Sequence, residues 1–344
     1  MQNKNSNMYL YDLVLEKENF SFLQKKTLFI TGGTGFLGMW LLRAIDFINK
    51  KKNLQIKVIL LARKKNIKKK LNYFNYTKFS IINGDICNFP LKKRKVDHII
   101  HLAAETSLKK NEDTLSVINT IINGTSRIVK YRNLVSSSSI TYLSSGGVYG
   151  KNCKNIQGWK ECSNITPSIF EKVATYGLSK KCAENLLIEA YDKSSNFKTL
   201  NIFRAFSFGG SHFNSKNHFA YDNFIKNKIM NKNITLTSNG QGLRNYMHPL
   251  DLANWILLSM NFSKITLLNT GGNKNYSIIG LAKKIAKYKF NNSRSIKVNI
   301  GRFINKENYI PNLSKSKKLG LTAKISLDMQ IKDSLDYYHD RKIT

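Results

Sequence analysis

The sequence predicts an α/β fold: a doubly wound parallel sheet followed by a smaller C-terminal α/β lobe. Three observations predict it. Between residues 26 and 203, short apolar runs alternate with amphipathic stretches, the pattern left by strands buried on both faces and helices that cover them. Where the first run ends, glycines recur at 32, 35 and 38, a spacing that hands a strand over to a helix. After Phe206 the alternation fails, and loops rich in Asn, Ser and Gly take over.

The elements follow in order. Residues 27–31 read as the first strand, 35–49 as a helix, 57–62 as the second strand, 79–83 as the third and 98–102 as the fourth. A helix over 114–131, a fifth strand over 139–144, a helix over 176–191 and a sixth strand over 199–203 complete the sheet. Beyond Phe206 only 250–260 and 278–288 read as clear helices. The expected division is an N-terminal extension over 1–25, a Rossmann-type domain over 26–205, and a second lobe over 206–344 interleaved with it.

Composition narrows the functional classes. A chain of 344 residues with 42% hydrophobic content and only 4 Pro can bury a substantial core, so disorder and low-complexity readings fall away. The net charge of +35 raises the question of nucleic acid. Arg supplies only 10 of the 56 basic residues, and the Lys are scattered in short runs with no nucleic-acid motif around them. The bias matches an AT-rich coding sequence, and no nucleic-acid or membrane partner is expected. Cys87, Cys153, Cys162 and Cys182 form no CxxC pair and no metal-type spacing with His, so no metal is expected, and a reducing cytoplasm fits best. Residues 1–19 mix acidic with apolar side chains and lack the continuous apolar core of a signal peptide or membrane span.

The glycine turn carries the first chemistry. In Thr31-Gly32-Gly33-Thr34-Gly35-Phe36-Leu37-Gly38, Gly32 allows a tight turn, Gly35 lets the backbone approach a pyrophosphate, and Gly38 lets the helix pack on the sheet. The helix N-terminus then offers N–H groups and a positive dipole end to phosphates. Dinucleotide sites specific for NAD place an acidic residue at the end of the second strand. This chain has Arg63 and Lys64 there, which suit a 2′-phosphate, so NADP is favoured over NAD. Asp85, next to Ile86 after the third strand, is a candidate for the adenine amino group, with a cap or turn role as the alternative.

A second constellation lies further on. Tyr176 and Lys180 are four residues apart and share one helical face. A Lys charge beside a phenol favours phenolate and would draw the Tyr176 pKa toward a working range, making it a general acid/base, while Lys180 could also bond a ribose. Ser145 opens Ser145-Gly146-Gly147-Val148-Tyr149-Gly150 at the C-terminal end of the fifth strand, where such sheets bind ligands.

Taken together, these motifs resemble the extended short-chain dehydrogenase/reductases of the nucleotide-sugar epimerase/dehydratase type. The likeness extends to His101-Leu102-Ala103-Ala104, Gly124-Thr125, Gly242-Leu243-Arg244-Asn245-Tyr246-Met247-His248, Asn269-Thr270-Gly271-Gly272, Tyr309-Ile310-Pro311-Asn312 and Lys318-Leu319-Gly320. It implies that Gly32, Thr34, Gly35, Phe36, Leu37, Gly38, Arg63, Asp85, Ile86, Leu102, Ala103, Ala104, Tyr176 and Lys180 hold the dinucleotide. It implies that Tyr176, Lys180 and Ser145 are catalytic, that Arg244 meets the diphosphate of a nucleoside-diphosphate sugar, and that Asn223 contacts the same substrate. The segment Arg204-Ala205-Phe206-Ser207 departs from the pattern, with Ser207 where the family carries Asn. A cytoplasmic homodimer is the implied assembly.

The resemblance also sorts reactions. Water-eliminating members carry an acidic pair directly after the catalytic hydroxyl residue, and decarboxylating members a Glu; here Gly146 and Gly147 stand there, and glycine is neither acid nor base. The expected chemistry is hydride transfer at the sugar C4, as an epimerase or a 4-keto reductase. The alternatives are a 4,6-dehydratase and a non-catalytic NADP-binding sensor on the same fold.

Overall fold

Seven parallel strands form the centre of the molecule, in the order β10-β6-β5-β4-β1-β2-β3. The computed structural model describes residues 7–63, 67, 71–104, 113–150, 157–171, 174–211, 219–290, 295–304 and 306–340. The strands are β1 (Thr27–Thr31), β2 (Lys57–Ala62), β3 (Lys78–Asn83), β4 (His98–His101), β5 (Ser139–Ser145), β6 (Thr199–Ala205) and β10 (Lys264–Thr270). β1 lies between β2 and β4, so the chain reverses direction across the sheet there, and the carboxyl ends of β1 and β4 open the crevice in which such sheets bind ligands.

Helices cover both faces. On one side lie α2 (Phe36–Lys52) and α7 (Pro249–Ser259), which pack on each other and on the buried Leu28, Ile30, Leu60 and Phe203. A short α1 (Met8–Tyr11) and the turns behind it join this side, with Leu10, Val14, Leu15 and Phe20 buried and Tyr11 stacked 5.9 Å from Trp40. The opposite face is covered by α3 (Thr114–Ile118), α4 (Gly124–Val135) and α5 (Ala174–Asp192), over Phe29, Ile99, Ile140 and Ile202.

The second lobe is built from α6 (Ala220–Ile229), α8 (Ile278–Lys287) and α10 (Leu327–Asp340) around Phe224, Ile225, Leu281, Ile285 and Ile331. The other elements are α9 (Ser314–Lys318) and five short strands. Of these strands, β7 (Ser207–Phe208), β9 (Leu243–Met247) and β11 (Asn275–Ser277) form a small sheet, while β8 (Ile234–Thr235) pairs with β12 (Val298–Asn299). Between these pieces the chain returns to the main sheet, where β10 pairs in parallel with β6 over its whole length.

Three elements here differ from the sequence reading. α6 and α10 are helices where irregular chain was expected, and β10 adds a seventh strand. The reason is visible in α10, whose inward face includes the buried Gln330, Asp333 and Ser334. Buried polar side chains break the apolar periodicity by which a helix is read. Asp333 accepts from the Ser211 amide at 2.6 Å, meets Nε2 of the buried His248 at 3.2 Å and bonds Asn7.

Candidate functional site

The turn after β1 and the end of β4 face each other at very short range. Gly32 has φ of +69°, and a Cβ there would stand 2.7 Å from both the Ala103 nitrogen and the Leu102 carbonyl carbon. Only glycine satisfies both the left-handed backbone and the contact. A Cβ at Gly38 would collide with the Gly32 carbonyl, so α2 packs directly on the turn.

Gly35 is different. It is the N-cap of α2 with ordinary extended backbone, no side chain caps that helix, and a Cβ there would meet only the Gly32 oxygen, at 3.3 Å. The exposed Gly35 therefore lines an open cradle at a helix N-terminus, which fits a pyrophosphate. Thr34, Phe36 and Leu37 flank it, each partly exposed.

A buried polar chain holds this crevice together. Thr31 Oγ1 accepts from the Ala103 amide at 3.3 Å and bonds His101 Nδ1 at 2.8 Å, while His101 Nε2 meets Thr125 Oγ1 at 3.3 Å. Burial, helped by the nearby Lys180 charge, lowers the His101 pKa to about 3, so the imidazole is neutral. His101 was not singled out as a site residue; its place before Leu102-Ala103-Ala104 was the available signal.

At the end of β2, Arg63 is exposed just beyond the buried Ala62, with Lys64 outside the described residues. Asp85 closes a turn: its Oδ1 accepts the Cys87 amide at 3.0 Å, and its carbonyl accepts the Phe89 amide at 2.8 Å. The turn role is thus realised. Ile86 is buried beneath Gly124, where a Cβ would come within 2.9 Å of its Cγ1.

Ser145 ends β5 and caps the short turn Gly146–Tyr149, its Oγ accepting the Gly147 amide at 3.0 Å. The first turn of α5 presses on that loop at Gly177, where any Cβ would collide with the Gly147 carbonyl. Tyr176 is thereby brought to the same glycine as Ser145, since a Cβ at Gly147 would lie 3.3 Å from the Ser145 Oγ and 3.6 Å from the Tyr176 Cδ1. Burial raises the Tyr176 pKa above the usual phenol value, and the Ser145 hydroxyl acts against it.

Lys180 is arranged differently from expectation. Its Nζ donates to the Leu143 carbonyl at 2.7 Å and lies 4.6 Å from the centre of the Tyr142 ring. With the side chain 2% exposed, burial lowers its pKa to about 7, opposed by Glu184. In this arrangement the group that favours Tyr176 phenolate is the Ser145 hydroxyl, because the Leu143 carbonyl and the Tyr142 ring hold the ammonium.

Behind this cluster sits a buried ion pair that sequence reading missed. Arg204 donates to both Glu184 oxygens, with Nε–Oε1 3.0 Å and Nη2–Oε2 2.6 Å, and its Nη1 donates to the Tyr149 hydroxyl at 2.8 Å. Ser144 donates to Glu184 at 2.5 Å. Glu184, one turn beyond Lys180 on α5, was the only local hint.

The substrate candidates come from the second lobe. Ser207 pairs with Tyr246 between β7 and β9, which places it two positions from Arg244 on the neighbouring strand. Arg244 Nη1 donates to the carbonyls of Leu243 at 2.8 Å and Glu307 at 2.6 Å, so that nitrogen is engaged by backbone. Asn223 is half-buried on α6. A residue not assigned a role in the sequence reading enters here. Tyr309 bridges to Arg244, donates its amide to the Leu243 carbonyl at 2.9 Å, and brings its hydroxyl to Gly146, where a Cβ would stand 2.8 Å from it. Among the described residues, no cluster of His, Cys, Asp and Glu could hold a metal, and no helix is long and apolar enough to cross a membrane.

Comparison with known proteins agrees with this geometry. The dTDP-D-glucose 4,6-dehydratase of Dictyostelium discoideum is 29% identical over 279 residues, covering 77% of this chain and 62% of that protein. The UDP-glucuronic acid decarboxylase 1 of Xenopus tropicalis is 25% identical over 76% of this chain and 60% of its own length. The chain thus spans about three fifths of these two relatives. In fold it is similar to the UDP-N-acetylglucosamine 4-epimerase of Methanobrevibacter ruminantium, with a TM-score of 0.76 at 18% identity over 92% of this chain and 99% of the other. The model of the NAD dependent epimerase/dehydratase family matches residues 28–271, and the chain belongs to that family.

Proposed function

We propose that the protein is an NAD(P)-dependent enzyme that acts on nucleoside-diphosphate sugars by hydride transfer at the sugar C4, as an epimerase or a 4-keto reductase. The observation that carries this reading is the meeting of the Ser145 and Tyr176 side chains beside Gly147 at the carboxyl edge of the sheet, with two glycines after Ser145 where an eliminating enzyme needs an acid. A Cβ at Gly146 would lie 2.8 Å from the Tyr309 hydroxyl and 2.8 Å from two atoms of the Phe206 ring, so the space for an acidic side chain is already filled. That observation weighs against dehydration, although the relative from Dictyostelium discoideum is named a dehydratase.

The chain's own groups divide the work. Gly32, Thr34, Gly35, Phe36, Leu37 and Gly38 would hold the pyrophosphate, Arg63 a 2′-phosphate, Asp85 and Ile86 the adenine, and Leu102, Ala103 and Ala104 the wall behind the ribose. Bound there, the nicotinamide supplies the hydride acceptor or donor. Tyr176 takes the proton from the sugar hydroxyl during oxidation and returns it during reduction, and Ser145 donates a hydrogen bond to the same oxygen. Lys180, through the ammonium hydrogens not given to the Leu143 carbonyl, would orient the ribose. Arg244, through the guanidinium nitrogens other than Nη1, would meet the diphosphate, with Asn223 and Ser207 on the sugar side. Exposed Arg63 supports NADP over NAD. Exposed Leu115 and Ile118, one turn apart on α3, support self-association as a homodimer, and we place the protein in the cytoplasm.

Incubating purified protein with UDP-, dTDP-, GDP- and CDP-sugars, and with their 4-keto forms plus NADPH, tests the reading. Conversion at C4 of at least one is expected. Release of water to give a 4-keto-6-deoxy sugar would replace the reading with dehydration, and binding of cofactor with no conversion across the panel would favour a sensor.

A further inference from the structure

The polar chain that runs from Ile121 to Ala103 admits a single arrangement of its protons. Thr125, buried in the first turn of α4, donates its hydroxyl proton to the Ile121 carbonyl at 2.6 Å, so toward His101 it can only accept. The 3.3 Å contact between His101 Nε2 and Thr125 Oγ1 therefore carries the ring proton on Nε2. Burial keeps the imidazole neutral, which leaves a lone pair on Nδ1. Thr31 Oγ1, 2.8 Å away, gives its one proton to that lone pair, and its oxygen accepts from the Ala103 amide at 3.3 Å. Each proton in the chain is used once.

The chain ends on an atom that limits the glycine turn. The Ala103 nitrogen is one of two atoms that would stand 2.7 Å from a Cβ at Gly32. Thr31 and His101 are direct partners in the register of β1 and β4, and the Leu102 amide donates to the Thr31 carbonyl at 3.2 Å. We propose that His101 is a positioning residue for the dinucleotide: held in the Nε2–H form by Thr125, it keeps the Thr31 hydroxyl an acceptor for the Ala103 amide, and so sets the separation between the Gly32 turn and the wall at residues 102–104. His101, Thr31 and Thr125 are all buried, so they act on a ligand through that wall and not by touching it. The inference rests on the reading of this crevice as the dinucleotide site.

NMR of the full chain carrying isotopically labelled histidine reports the tautomer through couplings between ring nitrogens and ring protons, and the His101 signals are those lost in His101→Gln. An unprotonated Nδ1 and a protonated Nε2 are expected, unchanged through the ordinary histidine range near about pH 6.5. Thr125→Val, which removes the acceptor for Nε2, is expected to let a share of the ring take the Nδ1–H form. Calorimetry with NADP+ and NAD+ on the folded variants supplies the second readout. Thr125→Val and Thr31→Val are expected to bind about two- to tenfold more weakly, the scale of one hydrogen bond, while Thr125→Ser and Thr31→Ser, which keep the hydroxyl, stay close to the parent. Valine variants that melt earlier but bind with the parental affinity would overturn the proposal, as would a protonated Nδ1 in the parent. If Thr125→Val does not fold, Thr31→Val against Thr31→Ser decides. A parent that shows the expected tautomer yet binds neither dinucleotide defeats the reading of the crevice itself, a result distinct from parental binding that the variants leave unchanged.

Discussion

Replacing the glycines of the first turn one at a time should separate the residue that meets the cofactor from those that hold the fold. In Gly32→Ala the backbone φ of +69° costs about 1–2 kcal/mol for an L residue. The new Cβ, 2.7 Å from the Ala103 nitrogen and the Leu102 carbonyl carbon, adds about 1–3 kcal/mol of overpacking. The sum, about 2–5 kcal/mol, should lower the melting temperature by at least about 4 °C. In Gly35→Ala the backbone is already extended and the Cβ meets one oxygen at 3.3 Å, so stability should stay within about 0.5 kcal/mol. That Cβ, and more so the side chain of Gly35→Val, occupies the cradle, and NAD(P) affinity should fall at least about tenfold, or 1.4 kcal/mol. Thermal melting by circular dichroism and titration calorimetry with NADP+ and NAD+ measure the two effects separately. The reasoning is refuted if Gly35→Ala melts with Gly32→Ala, or if folded Gly35→Val keeps the parental affinity.

Other perturbations probe the remaining groups. Arg63→Asp should move preference from NADP toward NAD by exchanging a phosphate partner for a repelling carboxylate; cofactor affinities read this out, and a parent that already prefers NAD would remove the premise. Lys180 has its pKa depressed to about 7 from an ordinary value of 10.5, so below pH 7 the native state carries a buried charge, and between pH 7 and 10.5 it sheds a proton the unfolded chain keeps. Lys180→Met should therefore gain stability relative to the parent most at pH 6 and progressively less toward pH 10, while losing turnover; melting curves across pH would show a flat difference if the depression is absent. Glu184→Leu, which leaves Arg204 buried and unpaired, should cost about 3–5 kcal/mol, and adding Arg204→Leu should recover part of it. Denaturant unfolding decides this, and additive losses would contradict the pairing.

The sequence spoke most clearly where burial is simple. β1, β2 and β4 are covered on both faces, so Leu28, Phe29, Ile30, Val58, Ile59, Leu60, Ile99 and Ile100 appear as unbroken apolar runs. The glycine spacing was legible because backbone approach leaves no other residue type at Gly32 and Gly38. α10 was hidden by its buried polar face of Gln330, Asp333 and Ser334, and β10 by its buried polar end at Asn269 and Thr270. The Glu184–Arg204 pair and the approach of the Tyr309 hydroxyl to Gly146 were invisible because each joins segments that only the fold brings together. The Lys180 spacing to Tyr176 placed both on α5, but the direction of its ammonium is set by the Leu143 carbonyl and the Tyr142 ring, which helical spacing does not encode.

The central claim is that Tyr176 exchanges the proton that accompanies hydride transfer at the sugar C4. The measurement that tests it most directly is the turnover of Tyr176→Phe on a nucleotide sugar that the parent converts, with cofactor and sugar affinities determined on the same preparation. The account predicts a loss of roughly 10²–10⁴-fold in kcat, the scale of a general acid/base group, with both affinities nearly kept. Turnover close to that of the parent would contradict it and return the site to a binding role.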